Sequence, residues 1–287
     1  MNAYLLSLNP EANIADQWCA GFILDILKDL DIDIKQASSL KKESTAVVLI
    51  PASYHAELVD DINKELSKLN RVVLFLMGDE ENVFPVDKIS HENIEIWVQY
   101  PDPKKHDKYH KLGTGYPQHM KEHLSKEAPE KTVNIFFAGQ MTHQRRREAN
   151  DEILKYSYAD TNVKLLTTRG FTQGESHSQY YQDMMSAKIA PCPSGAVTVD
   201  SFRLFEALEC MSIPIADEKN PKGEVVHYWD WLFGYITPFS KITNWSSIHD
   251  IVPEILSDYP HNMHKITAWY IKWKREFKFK IREQLHV

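Results

Sequence analysis

Between Lys188 and Asp217 the sequence KIAPCPSGAVTVDSFRLFEALECMSIPIAD admits few folds. Lys188 to Cys192 is a short apolar run with the character of a buried parallel strand. Pro193, Ser194 and Gly195 break regular structure, and Asp200 and Ser201 are residue types that cap helix N-termini. From Ser201 onward, Phe202, Leu204, Phe205, Ala207, Leu208 and Met211 cover a helical face, with Arg203 and Glu206 three apart on the first turns. Ile213 to Ala216 then reads as the next strand. A strand, glycine-containing loop, helix, strand unit predicts a parallel α/β layer, and the helix start in such units attracts anions.

The rest of the chain repeats that grammar. Short apolar runs at Tyr4 to Leu8, Ile32 to Ile34, Ala46 to Ile50, Arg71 to Met77 and Ile94 to Val98 read as strands. Helical spacing follows at Trp18 to Leu30 and at Glu57 to Leu69. This alternation predicts a parallel sheet with helices on both faces and ligands beyond the carboxyl ends of its strands. Asn9, Asp16, Ser53, His55, Asp79, Glu80, His106 and His110 are borne on the loops at those ends. His119 to Thr132 is charged, shows no buried face and reads as a crossover. Val133 to Phe137 opens a second sheet, a helix runs from Gln144 through Leu154, and Val163 to Thr167 is a further strand. Tyr180 to Lys188 reads as helix, and Met263 to Leu285 closes the chain as a long amphipathic helix.

Cys192-Pro193-Ser194-Gly195, Ser201-Phe202-Arg203-Leu204-Phe205-Glu206-Ala207-Leu208 and Cys210-Met211-Ser212-Ile213-Pro214-Ile215 resemble the C-terminal half of exostosin-like glycosyltransferases. Phe137-Ala138-Gly139, followed by Arg145, is similar to another turn of that family, and the resemblance spans about residues 131 to 217. It implies an α/β GT-B architecture: two Rossmann-like domains with parallel sheets facing a cleft. Residues 1–125 would form the acceptor domain and 131–264 the nucleotide-sugar domain, with a final helix over 265–287 crossing back to the first. It also implies transfer of a sugar, a hexose or pentose, from a nucleotide-diphosphate sugar to an acceptor hydroxyl. A UDP-sugar is the expected donor substrate, with no cofactor.

The residues suit such chemistry. Arginine stays charged and offers a planar fork to phosphate oxygens. Arg145 and Arg146 at one helix start and Arg203 near another would surround a diphosphate, replacing a metal. Ser194, Gly195 and Ser201 would line its phosphate side, and Glu206 would accept hydrogen bonds from ribose hydroxyls. For the catalytic base the choice is Glu80 or Asp79, with His55, His106 and His110 as competitors. Retaining relatives of this fold carry a second Glu eight positions before the ribose-binding acid. Thr198 stands there in this chain, which favours inversion. The plainer readings are a solvated helix start for Arg145 to Arg147, a surface pair for Arg203 and Glu206, and a turn with a helix cap for Asp79-Glu80. His106/His110 and His119/His123 have i,i+4 spacing but no third ligand in the local sequence, so no metal site is expected.

Composition narrows the partners. A net charge of −7 opposes non-specific nucleic-acid binding, although Lys265, Lys272, Lys274, Arg275, Lys278, Lys280 and Arg282 concentrate positive charge near the end of the chain. Glycan, lipid-linked and nucleic-acid acceptors all survive this test; the resemblance implies a glycan or, as for small transferases of the same fold, a hydroxymethylated DNA base presented outside the stack. A non-catalytic nucleotide- or sugar-binding module of the same fold is the alternative. No run approaches the ~18 apolar residues of a membrane span. The opening residues lack a basic signal-peptide region, and Cys19, Cys192 and Cys210 are scattered, so a cytoplasmic setting is expected.

Overall fold

The computed structural model describes residues 2–9, 20–100, 108–125, 127, 129–159, 162–170, 173–234 and 236–285. The expectations placed on Asp16, Trp18, Cys19 and His106 lie outside these residues.

The chain divides into two compact units: residues through Gln118 with those from Lys274 onward, and His119–Trp273. The first unit contains β1 (Asn2–Leu6), α1 (Gly21–Asp29), β2 (Asp33–Ala37), β3 (Glu43–Pro51), α2 (Val59–Leu66), β4 (Leu69–Met77), β5 (Ile94–Gln99) and β6 (His110–Leu112). Its sheet runs β2-β1-β3-β4-β5-β6, every neighbouring pair parallel. One face of the sheet sends Leu6, Val48, Ile50, Leu74 and Leu76 against Ile62 and Leu66 of α2. Trp97 of β5 stacks on Phe75 at 5.8 Å, and Phe277 lies 5.4 Å from Phe22 of α1 and 4.8 Å from Trp97.

The second unit contains α3 (Met120–His123), β7 (Val133–Gln140), α4 (Gln144–Ser157), β8 (Val163–Thr168), α5 (His177–Ser186), β9 (Ala187–Cys192), α6 (Phe202–Glu209), β10 (Ile213–Asp217), α7 (Tyr228–Phe233), β11 (Ser240–Ile242) and α8 (Ile248–Ser257). Its sheet is also wholly parallel, in the order β11-β10-β9-β7-β8. The last helix, α9 (Tyr259–Leu285), belongs to both units, its residues through Trp273 to the second and the remainder to the first. The boundaries near residues 118 and 273 therefore differ from those read at 125, 131 and 264.

Three local expectations are corrected. The loop expected from Tyr100 to Pro117 contains β6, whose three residues pair with β5 and carry too short an apolar pattern to read. His119 to Thr132 does have a buried residue, because Met120 is wholly enclosed. The helix expected over Tyr180 to Lys188 starts earlier, at His177 capped by Ser176, and gives up Ala187 and Lys188 to β9.

Candidate functional site

In the second sheet the chain passes from β7 to β8 on one side, then returns to place β9 on β7's other side. The order therefore reverses between β7 and β9, and ligands of open parallel sheets bind beyond the carboxyl ends of strands at such a point. The two connections leaving this point are Met141–His143, which leads into α4, and Pro193–Ser201, which leads into α6. They carry most of the residues singled out from the sequence.

The connections are tied to one another through one carbonyl. His143 Nε2 and Arg146 Nε donate to Ser194 O at 3.2 and 3.0 Å. Arg146 also reaches Gln140 O at the end of β7 (3.4 Å). Arg203, on the first turn of α6, donates to Ala138 O and lays its guanidinium over the Phe137 ring at 4.8 Å. Gly139 makes room for it: a Cβ there would lie 2.9 Å from Arg203 Nη2. Gly195 answers a tighter constraint, since a Cβ would come 2.4 Å from Asp200 O as the loop turns back on itself. The Phe-x-Gly and Pro-x-Gly turns thus serve close approach at neighbouring strand ends.

Several polar atoms on these connections and the first turn of α6 are buried without a hydrogen-bond partner: His143 Nδ1, Ser194 Oγ, Ser201 Oγ and Arg203 Nε. Ser201 stands at the N-cap of α6, but its hydroxyl makes no capping bond, contrary to the expected cap. Unpaired buried donors are expensive and rare in folded proteins. The Ser194 and Ser201 hydroxyls and the Arg203 Nε–H are donors suited to an anion's oxygens, whereas His143 Nδ1, on a ring whose Nε2 carries the proton, is an acceptor. Burial, assisted by the Arg146 charge, holds the His143 pKa below its ordinary value.

Other expected residues are differently placed. Arg145 is 5% exposed and its guanidinium is occupied. Nε and Nη2 fork onto Asp217 at 3.1 and 2.7 Å, and Nη1 meets Glu148. Asp217 also accepts from Trp245 Nε1 (3.1 Å), so this pair fastens α4 to β10 rather than facing a ligand. Glu206 is 6% exposed and takes the hydroxyls of Tyr180 and Tyr181, both at 2.8 Å, on its two oxygens. Burial raises its pKa despite the opposing influence of Arg203 and the two tyrosines.

In the first unit, Asp79 caps its own loop, Oδ1 accepting from Val83 N and Oδ2 from Phe84 N, each at 2.9 Å. Glu80 beside it is half-buried. His55 lies at the first sheet's own switch point, between β1 and β3, yet it is wholly buried. Its Nε2 accepts from Leu8 N and its Nδ1 donates to Pro51 O, both at 2.9 Å. Both ring nitrogens are spent, and burial lowers the pKa. His110 pairs with Glu95 Oε2 at 2.7 Å and packs on Trp97. His119 stacks on His177 at 4.0 Å, with His123 6.0 Å from each; burial and these neighbours bring the His119 pKa down to about 4. Tyr180, Tyr181, His177 and Asp217 escaped the sequence reading because no spacing links them to the residues they serve.

Two parallel α/β units in one chain, with arginine and unpaired hydroxyls at the switch point of the second, agree with the α/β architecture that the exostosin-like resemblance implies. The description RXYLT1 C-terminal domain matches residues 114–287, more than half the chain, and the chain belongs to that family. Among solved structures it is similar to the crystal structure of AviGT4, a glycosyltransferase involved in avilamycin A biosynthesis. The identity is 11% and the TM-score 0.44, over 97% of this chain and 98% of that one. No curated protein sequence matches the chain.

Proposed function

We propose that the protein transfers a sugar from a nucleoside-diphosphate sugar to an acceptor hydroxyl, and that the switch-point loops of the second sheet hold the diphosphate. The observation that carries this reading is the set of buried, unpartnered donors on those loops and the first turn of α6: Ser194 Oγ, Ser201 Oγ and Arg203 Nε. With the Arg146 guanidinium they supply charge and hydrogen bonds to a departing diphosphate, so the leaving-group step needs no metal. Family membership supplies the reaction class. Arg145 is left to its ion pair with Asp217. Glu206, with both oxygens engaged by tyrosines, acts in this reading as the buried post against which the ribose edge is oriented.

A UDP-sugar is the donor to try first, and inversion is the expected stereochemistry. Glu80 is carried forward as the base, whereas Asp79 is not, because loop amides occupy both its oxygens. A glycan hydroxyl is the preferred acceptor over a hydroxymethylated DNA base, given the acidic net charge. Release of nucleoside diphosphate from a panel of nucleotide sugars tests the activity. Arg203→Ala and Arg146→Ala should each slow turnover roughly 10- to 100-fold, the value of one charge-assisted hydrogen bond (~1.5–3 kcal/mol). Full activity in both variants would remove the diphosphate assignment. A chain that binds nucleotides but turns over no sugar would instead be a binding module.

A further inference from the structure

Immediately beyond β10 the chain makes a small hairpin with Glu218 and His227 at its base. Lys219 and Val225 form an antiparallel bridge, Val226 N donates to Glu218 O at 3.0 Å, and Asn220 closes the turn with Gly223 and Glu224. Glu218 is 7% exposed. Its Oε2 lies 3.1 Å from His227 Nδ1, while its Oε1 is buried with no hydrogen-bond partner. A lone buried carboxylate oxygen needs a donor or a cation. His227 takes a left-handed backbone (φ 46°), a conformation uncommon outside glycine, and this turns the chain into α7. Asp230 on that helix brings a second carboxylate. The ligand atoms of Glu218, His227 and Asp230 all lie within 4.8 Å of one another.

From this juxtaposition we propose that Glu218, His227 and Asp230 bind a divalent cation of the zinc or manganese class. One imidazole nitrogen with two carboxylates suits these borderline ions, whereas magnesium and calcium favour all-oxygen sites. Lys241 pairs with Asp230 Oδ1, and the unpaired Glu218 Oε1 is left for the ion. A bound ion would cross-link both strands of the hairpin to the start of α7 and fix a loop at the ligand-bearing edge of the sheet. The inference is independent of the diphosphate reading, which uses other residues and no metal.

The test uses the full chain, stripped with chelator and then titrated with zinc, manganese or magnesium chloride. Calorimetry and the thermal melting point provide the readouts. Zinc or manganese should bind one-to-one and raise the melting point, with magnesium much weaker. Glu218→Gln should weaken binding at least tenfold. His227→Ala should do the same, and because that side chain is 70% exposed its loss spares the fold should Glu218→Gln fail to fold. Absence of binding would overturn the proposal. So would zinc affinity that survives both substitutions, including affinity that disappears with His177→Ala, which would locate the ion at the His119, His123 and His177 cluster.

Discussion

Arg145 and Arg146 are adjacent in sequence and have opposite fates. The first points into the unit and is consumed by Asp217 and Glu148, while the second bridges the ends of β7 and β9. Removing one partner from a buried, hydrogen-bonded ion pair costs about 3–5 kcal/mol, because the survivor is left charged and unpaired. Asp217→Ala should therefore lower the thermal unfolding midpoint far more than Arg146→Ala, while Arg146→Ala should be the more damaging to turnover. Comparing melting and initial rates of the two proteins separates a structural arginine from a functional one. The sequence made Arg145 and Arg146 equal candidates, since both stand at a helix start. What divides them is Asp217, 72 positions away, and no local pattern announces a partner at that distance. Glu206 tells the same story, with Tyr180 and Tyr181 supplied by a neighbouring helix.

At the scale of elements, the loops are more legible than the helices. Gly139 and Gly195 stand out because their turns admit no Cβ without a shift, and glycine at a strand end is readable from sequence alone. The two glycines should nevertheless respond differently to alanine. At Gly139 the neighbour is the end of the flexible Arg203 side chain, so Gly139→Ala should displace that guanidinium and mimic Arg203→Ala in rate while melting near the wild-type temperature. At Gly195 the neighbour is backbone, so Gly195→Ala should reshape the loop and lower both turnover and the melting point. Equal melting of the two variants would contradict this contrast. Elements whose existence depends on pairing rather than pattern, such as β6, left no comparable trace, and neither did the exact division between α5 and β9.

For the whole molecule, the histidines set the acid limit. Burial lowers the pKa of His55, His110, His143 and His177, and that of His119 to about 4. Below the ordinary histidine value near 6.5, the unfolded chain takes up protons that the folded chain refuses, so stability falls as the pH drops from about 6.5 toward 4. Carboxylates with depressed values, such as Glu65 and Glu152, add to this only at lower pH. The melting temperature should be nearly flat above about pH 7 and decline through that window, less steeply in His119→Gln. A decline starting only below pH 4 would assign the loss to carboxylates instead.

The helix α9 carries a consequence for biosynthesis. Phe277, packed on Phe22 and Trp97, and Gln284, which accepts from Trp97 Nε1 at 2.8 Å, come from a stretch synthesised after the whole of the second unit. Leaving the ribosome, the N-terminal sheet must wait for the whole intervening body before these groups arrive to cover Trp97. A nascent chain stopped short of Lys274 should expose that indole to chaperones and proteases, while the later body, continuous in sequence, has every one of its own strands in hand.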